Sequence, residues 1–248
     1  NVPHDVMIAL HGHGGDRWQF VTEKRAECQA ARDMALKRNM VFVSPDYRAK
    51  TSWMGPAAEA DLLQILDELN GRFRIRDVVI SGGSMGGTSA LAFAALHPDC
   101  VDGVVALNGT ANMIEYPNFA DAIAESYGGT KVEKPDAYRE RSAEMFPERL
   151  TMPVAVTTGG QDTVVPPDST LRLIESLKKR NSPALSIHQP DGGHETNHDD
   201  TVAAFTFVFD QLDAKNSAHM PPVLNTIDNE TTIVCLGDSV TGVYYHTG

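Results

Sequence analysis

The sequence predicts an α/β fold, a mostly parallel β-sheet with helices on both faces. Two observations carry this. Short apolar runs alternate with longer amphipathic segments, and turn-forming residues close each run. Strands separated by helices must run parallel, and such sheets are covered on both sides. The first run is Val6-Met7-Ile8-Ala9-Leu10, followed by the glycine-rich His11-Gly12-His13-Gly14-Gly15. A helix is expected from about Thr22 to Arg38. The second strand is Met40-Val41-Phe42-Val43, ended by Ser44-Pro45-Asp46. Pro56 occupies a first-turn position, Leu62, Ile65 and Leu69 recur at helical spacing, and Gly71 stops that helix. Val78-Val79-Ile80, Val101 to Leu107, Val154-Ala155-Val156 and Leu185-Ser186-Ile187 continue the strands. Helices are expected near Ser89–Leu96, Ser169–Lys179 and Val202–Leu212. The stretch from about Asn108 to Leu150 is long for a connection. It carries Tyr116, Phe119, Tyr127, Tyr138 and Phe146 and is expected to form a small helical cap.

Composition narrows the class. The chain has 248 residues, 42% hydrophobic and 22% charged, which is ordinary globular usage and excludes a disordered or collagenous chain. The formal net charge is -12, which opposes binding to phosphate backbones and to anionic membranes. No apolar run reaches the roughly 20 residues that span a bilayer. Cys28, Cys100 and Cys235 are too few and too far apart for a disulfide framework and are expected to be packed thiols. The opening Asn1-Val2-Pro3-His4-Asp5 is neither an initiator methionine nor a signal peptide. A processed or trimmed start is therefore expected.

Ligands of parallel sheets bind at the carboxyl ends of the strands, so the loops that follow strands are the ones that matter. Gly82, Ser84 and Gly86 form G-x-S-x-G between a strand and a helix. A serine on so sharp a turn has its neighbours within touching distance, and only glycine fits beside it. Ser84 is the candidate nucleophile. A hydroxyl is a weak nucleophile and needs a base, which in turn needs an orienting acid. Asp162, after the Val154–Val156 strand, is the candidate acid, with Asp168 as fallback and as candidate N-cap of the next helix. His194, in Pro190-Asp191-Gly192-Gly193-His194, is the candidate base. The developing oxyanion needs two donors. The Met85 N–H is one. The loop after the first strand supplies the other, from His13 or, less favoured, Gly14. The imidazoles of His11 and His13 are expected to be structural. Trp53, Met54 and the cap aromatics either line an acyl or sugar pocket or simply pack. Arg48 either meets a substrate carboxylate or is structural.

His194-Glu195-Thr196-Asn197-His198 also spells H-E-x-x-H, the zinc-protease pattern. Two preceding glycines and the internal asparagine argue against a helix there, and a third ligand is not evident. A chance match is the reading preferred, with no metal and no cofactor.

The elbow, the His-Gly loop, Asp162 and His194 together resemble the α/β-hydrolase superfamily, over about Val6 to Leu212. Within it the likeness is to prolyl oligopeptidase-type esterase domains. Ser44-Pro45-Asp46-Tyr47-Arg48, His97-Pro98, Gln161-Asp162 to Val165-Pro166 and Gly192-Gly193-His194 match their segments. The resemblance implies a serine carboxylic-ester hydrolase on a small or carbohydrate-linked ester. Peptide or aminoacyl-amide hydrolysis is the alternative, though the peptidase members carry a large propeller for which this chain has no room. A non-catalytic binding module is the third reading. Such folds usually open with an antiparallel hairpin, and this chain starts almost on the oxyanion strand.

Residues 1–214 are thus expected to be the catalytic domain and 215–230 a linker. Residues 231–248 carry Thr231-Thr232-Ile233-Val234-Cys235-Leu236 and then Gly237-Asp238-Ser239. This resembles the first strand and Gly-Asp-Ser block of SGNH (GDSL-type) hydrolases. The expectation is the start of a second hydrolase domain, with Ser239 inert and the apolar strand added to an exposed sheet edge.

Overall fold

A computed structural model of the chain describes residues 2–218 and, as backbone, the strands Ile233–Leu236 and Val243–His246. The order begins β1 (His4–Leu10), α1 (Gln19–Thr22), α2 (Ala26–Lys37), β2 (Val41–Pro45), α3 (Pro56–Arg72), β3 (Ile75–Gly83), α4 (Met85–Leu96) and β4 (Gly103–Leu107). It continues with α5 (Ala120–Tyr127), α6 (Pro135–Glu140), β5 (Val154–Gly159), α7 (Asp168–Lys179), β6 (Ala184–Gln189), α8 (His198–Ser217), β7 (Ile233–Leu236) and β8 (Val243–His246). The strands lie in the order β6-β5-β4-β3-β1-β2-β7-β8. Every neighbouring pair is parallel except β7 with β8.

The period of two along a strand sorts the core into two layers. From β1, Val6, Ile8 and Leu10 face α3, α4 and the cap, while Met7 and Ala9 face α2 and α8. Leu62, Leu66 and Leu69 of α3 fill the first layer, and Phe205, Val208 and Leu212 of α8 the second. Helix α4 is buried from Met85 through Ala95. Its Gly and Ala residues let it lie close on the sheet, which brings the segment after β3 directly beneath the loop after β1.

The predicted elements fall where expected, with shifted ends. The first predicted helix is α2, which starts at Ala26 rather than near Thr22, and the short α1 before it was not expected. The cap is present as α5, α6 and two 3-10 turns, Ala143–Met145 and Pro147–Arg149. It is tied down by polar bonds: Tyr127 Oη donates to the Trp53 carbonyl at 2.9 Å, and Arg141 Nε to the Met54 carbonyl at 2.6 Å. Helix α7 starts at Asp168 with Pro167 as N-cap, so Asp168 does not fill the cap position expected for it. Cys28 is a buried free thiol whose pKa burial pushes up to about 12, and Cys100 is free and half-buried. Helix α8 runs to Ser217, past the expected boundary at 214. The apolar strand of the tail lies on β2. The rest of the expected linker and the Gly237-Asp238-Ser239 block lie outside the described residues. No helix of the described residues is long and apolar enough to cross a membrane.

Candidate active site

Residue 84 sits between β3 and α4 with φ 58 and ψ −119, a conformation that L-residues rarely adopt. The crowding is measurable. A Cβ on Gly82 would lie 2.6 Å from the Leu10 carbonyl oxygen and 2.6 Å from the Gly86 carbonyl carbon. A Cβ on Gly86 would lie 2.0 Å from the same Leu10 oxygen. The two motif glycines therefore let β1, β3 and α4 close on one another, and the serine is left above them. Its own N–H donates to the Leu107 carbonyl at 2.8 Å.

The loops after β5 and β6 bring the other two residues to it. Ser84 Oγ lies 2.8 Å from His194 Nε2, and His194 Nδ1 lies 2.7 Å from Asp162 Oδ2. The Asp162 side chain is 1% exposed. Its other oxygen, Oδ1, accepts the N–H groups of Val164 at 2.9 Å and Val165 at 2.8 Å, which fix the carboxylate's rotation. The cap holds this acid loop from above: Tyr116 Oη and Asn118 Nδ2 both donate to the Val164 carbonyl, at 3.0 and 2.9 Å. Burial, and behind it the Asp162 charge, push the Tyr116 pKa up and keep it a donor. Asp168, the fallback acid, is exposed at the start of α7.

This arrangement predicts the outcome of Asp162→Asn. The amide oxygen takes over the two backbone donors, so the NH2 group turns to His194. The imidazole must then accept at Nδ1 and carry its proton on Nε2, where it cannot receive one from Ser84. A drop in kcat of about 10^4-fold with little change in melting temperature is expected, measured by steady-state kinetics and thermal denaturation.

The oxyanion donors separate by hydrogen-bond accounting. The Gly12 N–H donates to Gln19 Oε1 at 3.0 Å, the Gly14 N–H to the Lys50 carbonyl at 2.7 Å and the Gly15 N–H to the Gly12 carbonyl at 3.0 Å. That leaves His13 in its loop. Among the described residues neither the His13 nor the Met85 N–H has a hydrogen-bond partner. Met85 also opens α4, where the helix dipole favours negative charge. Gly14, the less favoured donor, is occupied.

Both loop imidazoles are engaged in the scaffold. His11 is fully buried, with Nε2 3.0 Å from the Asp46 carbonyl. His13 Nδ1 accepts the Trp53 indole N–H at 3.0 Å, so its proton sits on Nε2, and burial lowers its pKa. Its ring lies between Trp53 and Phe119, with centroids at 5.8 and 4.4 Å.

This corrects the reading of Trp53 and Met54 as pocket-lining residues. Both are 0% exposed, with φ of 41 and 57, and they support the oxyanion loop and the cap from within. Neither offers a surface to a substrate. Arg48 pairs with Asp61 at 2.8 Å on the surface. The H-E-x-x-H stretch straddles a loop and a helix. Asn197 caps α8 by accepting the Asp200 N–H at 2.8 Å, and the helix begins at His198. His198 faces Asp33 at 3.1 Å, which raises its pKa, while His194 faces Ser84. The two histidines do not share a ligand position.

Three residues near the serine were not evident from the sequence. Asn108, at φ 48 directly after β4, accepts at Oδ1 from the hydroxyls of Thr157 and Thr196 and donates from Nδ2 to the Gly193 carbonyl at 3.4 Å. It thereby grips the histidine loop on both sides of His194. Gln19 and Glu27 line, with Ser84, Asn108 and His194, a crevice of about 60 Å³. Asparagine at a positive φ after a strand is a recognisable pattern in hindsight. Gln19 and Glu27 lie on α1 and α2, and nothing local marks them.

Comparison with known proteins gives the same fold. A truncated carbohydrate esterase from gut microbiota superimposes with a TM-score of 0.64 at 20% identity, over 86% of this chain and 87% of the other. FphF, a fluorophosphonate-binding serine hydrolase of Staphylococcus aureus, gives 0.63 at 16% identity, over 84% of each chain. A puromycin-hydrolyzing peptidase of Mycobacterium tuberculosis gives 0.63 at 19% identity, over 86% of this chain and 35% of the peptidase. This chain thus spans about a third of that peptidase's length. No curated protein matches the sequence. Residues 36–214 match the prolyl oligopeptidase family. That stretch contains the serine, the aspartate and the histidine just described, and the chain belongs to the prolyl oligopeptidase family of serine hydrolases, with the α/β-hydrolase fold.

Proposed function

We propose that the protein is a serine carboxylic-ester hydrolase acting on small or carbohydrate-linked esters through an acyl-enzyme on Ser84. The observation that carries the reading is the unbroken line Ser84–His194–Asp162, set beneath two unpaired N–H donors. His194 Nε2 takes the Ser84 proton as Oγ attacks the ester carbonyl carbon. The carbonyl oxygen becomes an oxyanion between the His13 and Met85 N–H groups. Collapse breaks the bond to the alcohol oxygen, which leaves with the proton from His194. A water then attacks the acyl-serine, gives its proton to His194, and the acid departs as Ser84 is restored. Asp162 holds the imidazole in the tautomer both halves require.

The narrow crevice at Ser84, about 60 Å³, supports a small substrate at the reacting centre. A carbohydrate esterase among the structural neighbours supplies the second half of the substrate reading. A second reading, hydrolysis of peptides or aminoacyl amides, is favoured by the family to which the chain belongs and by the peptidase neighbours. A panel of p-nitrophenyl esters, acetylated sugars, feruloyl esters and aminoacyl amides tests the two. The expected result is turnover of short-chain esters well above amides, abolished by a serine-directed phosphonate. Faster cleavage of the amides would reverse the assignment.

A further inference from the structure

The crevice beside Ser84 is polar in a way that the triad does not require. Gln19 is 5% exposed and lines it. Its Oε1 is committed to the Gly12 N–H at 3.0 Å, so the amide is oriented, and its Nε2 has no hydrogen-bond partner among the described residues. That donor is not one of the fully buried atoms left without a partner, so it opens on the crevice, where a ligand or water can meet it. Glu27 lines the same crevice with a side chain only 17% exposed. Arg25 Nη1 lies 3.9 Å from Glu27 Oε1, too far for a hydrogen bond. Burial raises the Glu27 pKa.

The direction in which the crevice continues identifies the half of the substrate it meets. His194 must deliver its proton to the leaving oxygen, so the alcohol lies on the histidine's side. There Arg25, Glu27, His194 and Glu195 also line a larger groove of about 790 Å³, which continues to Asp191 and Asp200. A hydroxyl both donates and accepts. It satisfies Glu27 as donor and Gln19 as acceptor, and vicinal hydroxyls can do both at once. An ammonium group suits the carboxylates but is opposed by the Gln19 NH2 and by Arg25. A hydrocarbon offers nothing to the Gln19 NH2 or to the Glu27 carboxylate, while Arg25 is already paired with Glu23 at 2.9 Å.

We propose that Gln19, Arg25 and Glu27 form a hydroxyl-reading subsite that receives the sugar-like alcohol of the ester. This rests on the ester-hydrolase reading above. The test compares kcat/KM on a monoacetylated methyl xyloside with that on p-nitrophenyl acetate, whose alcohol has no hydroxyl to offer, for wild type and Glu27→Leu. The ratio of sugar acetate to p-nitrophenyl acetate should fall about 10-fold or more in the variant, as expected for a lost hydrogen bond to a charged acceptor. Free methyl xyloside should compete with p-nitrophenyl acetate in wild type, and less well in the variant. Should Glu27→Leu fail to fold, Glu27→Ala, which also removes the acceptor, carries the same comparison. An unchanged ratio overturns the subsite. So does a wild-type preference for acetylcholine over the sugar acetate, which would assign the carboxylates to a cation. A wild-type enzyme that cleaves an aminoacyl anilide but none of the three esters overturns the ester reading itself, and the subsite with it.

Discussion

Ser84→Ala is expected to lower kcat by about 10^6-fold, to the residual rate supplied by binding and the oxyanion donors alone. The variant should fold normally. Alanine keeps the Cβ, and the serine hydroxyl makes its hydrogen bond only to His194 at the site surface. Ser84→Gly should be equally inactive yet more stable. The φ of 58 at this position strains any residue with a side chain, at a cost of about 1–3 kcal/mol, and glycine escapes it. The expected order of melting temperatures is therefore glycine above alanine, with alanine close to wild type. A stopped assay with active-site titration checks the first half, and scanning calorimetry the second. An alanine variant with substantial turnover would remove Ser84 from the mechanism.

Gly86→Ala is expected to be among the most damaging single-methyl changes in the molecule. Glycine to alanine inside a helix ordinarily stabilises by about 1 kcal/mol. Here the new methyl would meet backbone on the opposite side: the Leu10 oxygen at 2.0 Å, its carbonyl carbon at 2.8 Å and the His11 oxygen at 2.9 Å. None of these is the end of a flexible side chain, so α4 or the end of β1 must move. A loss of about 3–5 kcal/mol is expected, or roughly 10 °C in melting temperature. Whatever survives should also lose activity, because His11 leads directly into the loop that offers the His13 N–H. Gly83→Ala is the control. It lies one residue before the serine, and a Cβ there meets nothing within 4 Å. Its melting temperature should stay within about 2 °C of wild type.

The contrast between these two glycines shows what could be read in advance. The elbow is local: strand, turn and helix lie in one stretch of sequence, so composition and order expose it. Asp162 and His194 could be found because the loops that matter follow strands, and both carry the residue type the chemistry needs. The choice between His13 and Gly14 could not be made from residue types, since both have an N–H. It depends on the Lys50 carbonyl, which arrives from after β2. The choice between the two readings of Trp53 and Met54 could not be made for a related reason. Apolar residues in a loop carry no periodicity, so the sequence does not say whether they face solvent or the core. Gln19, Glu27 and Asn108 come from three separate elements and meet only once the sheet is complete. The tie between Trp53 and His13 belongs to the same class, joining two loops 40 residues apart.

The strand order places the site's parts in a simple array. Gly12, Ser84, Asn108, Asp162 and His194 follow β1, β3, β4, β5 and β6, five consecutive neighbours across the sheet. The nucleophile rides on an interior strand and the base on the outermost one. β6 is bonded on one side alone and is half-exposed along its length. Outer strands fray first, by local openings that cost far less than global unfolding. One such opening carries His194 away from Ser84 while the pairing of β1 to β5 stays intact. Activity is therefore expected to fall at lower denaturant than the sheet's circular dichroism signal, with the catalytic base lost at an edge while the interior strands remain paired.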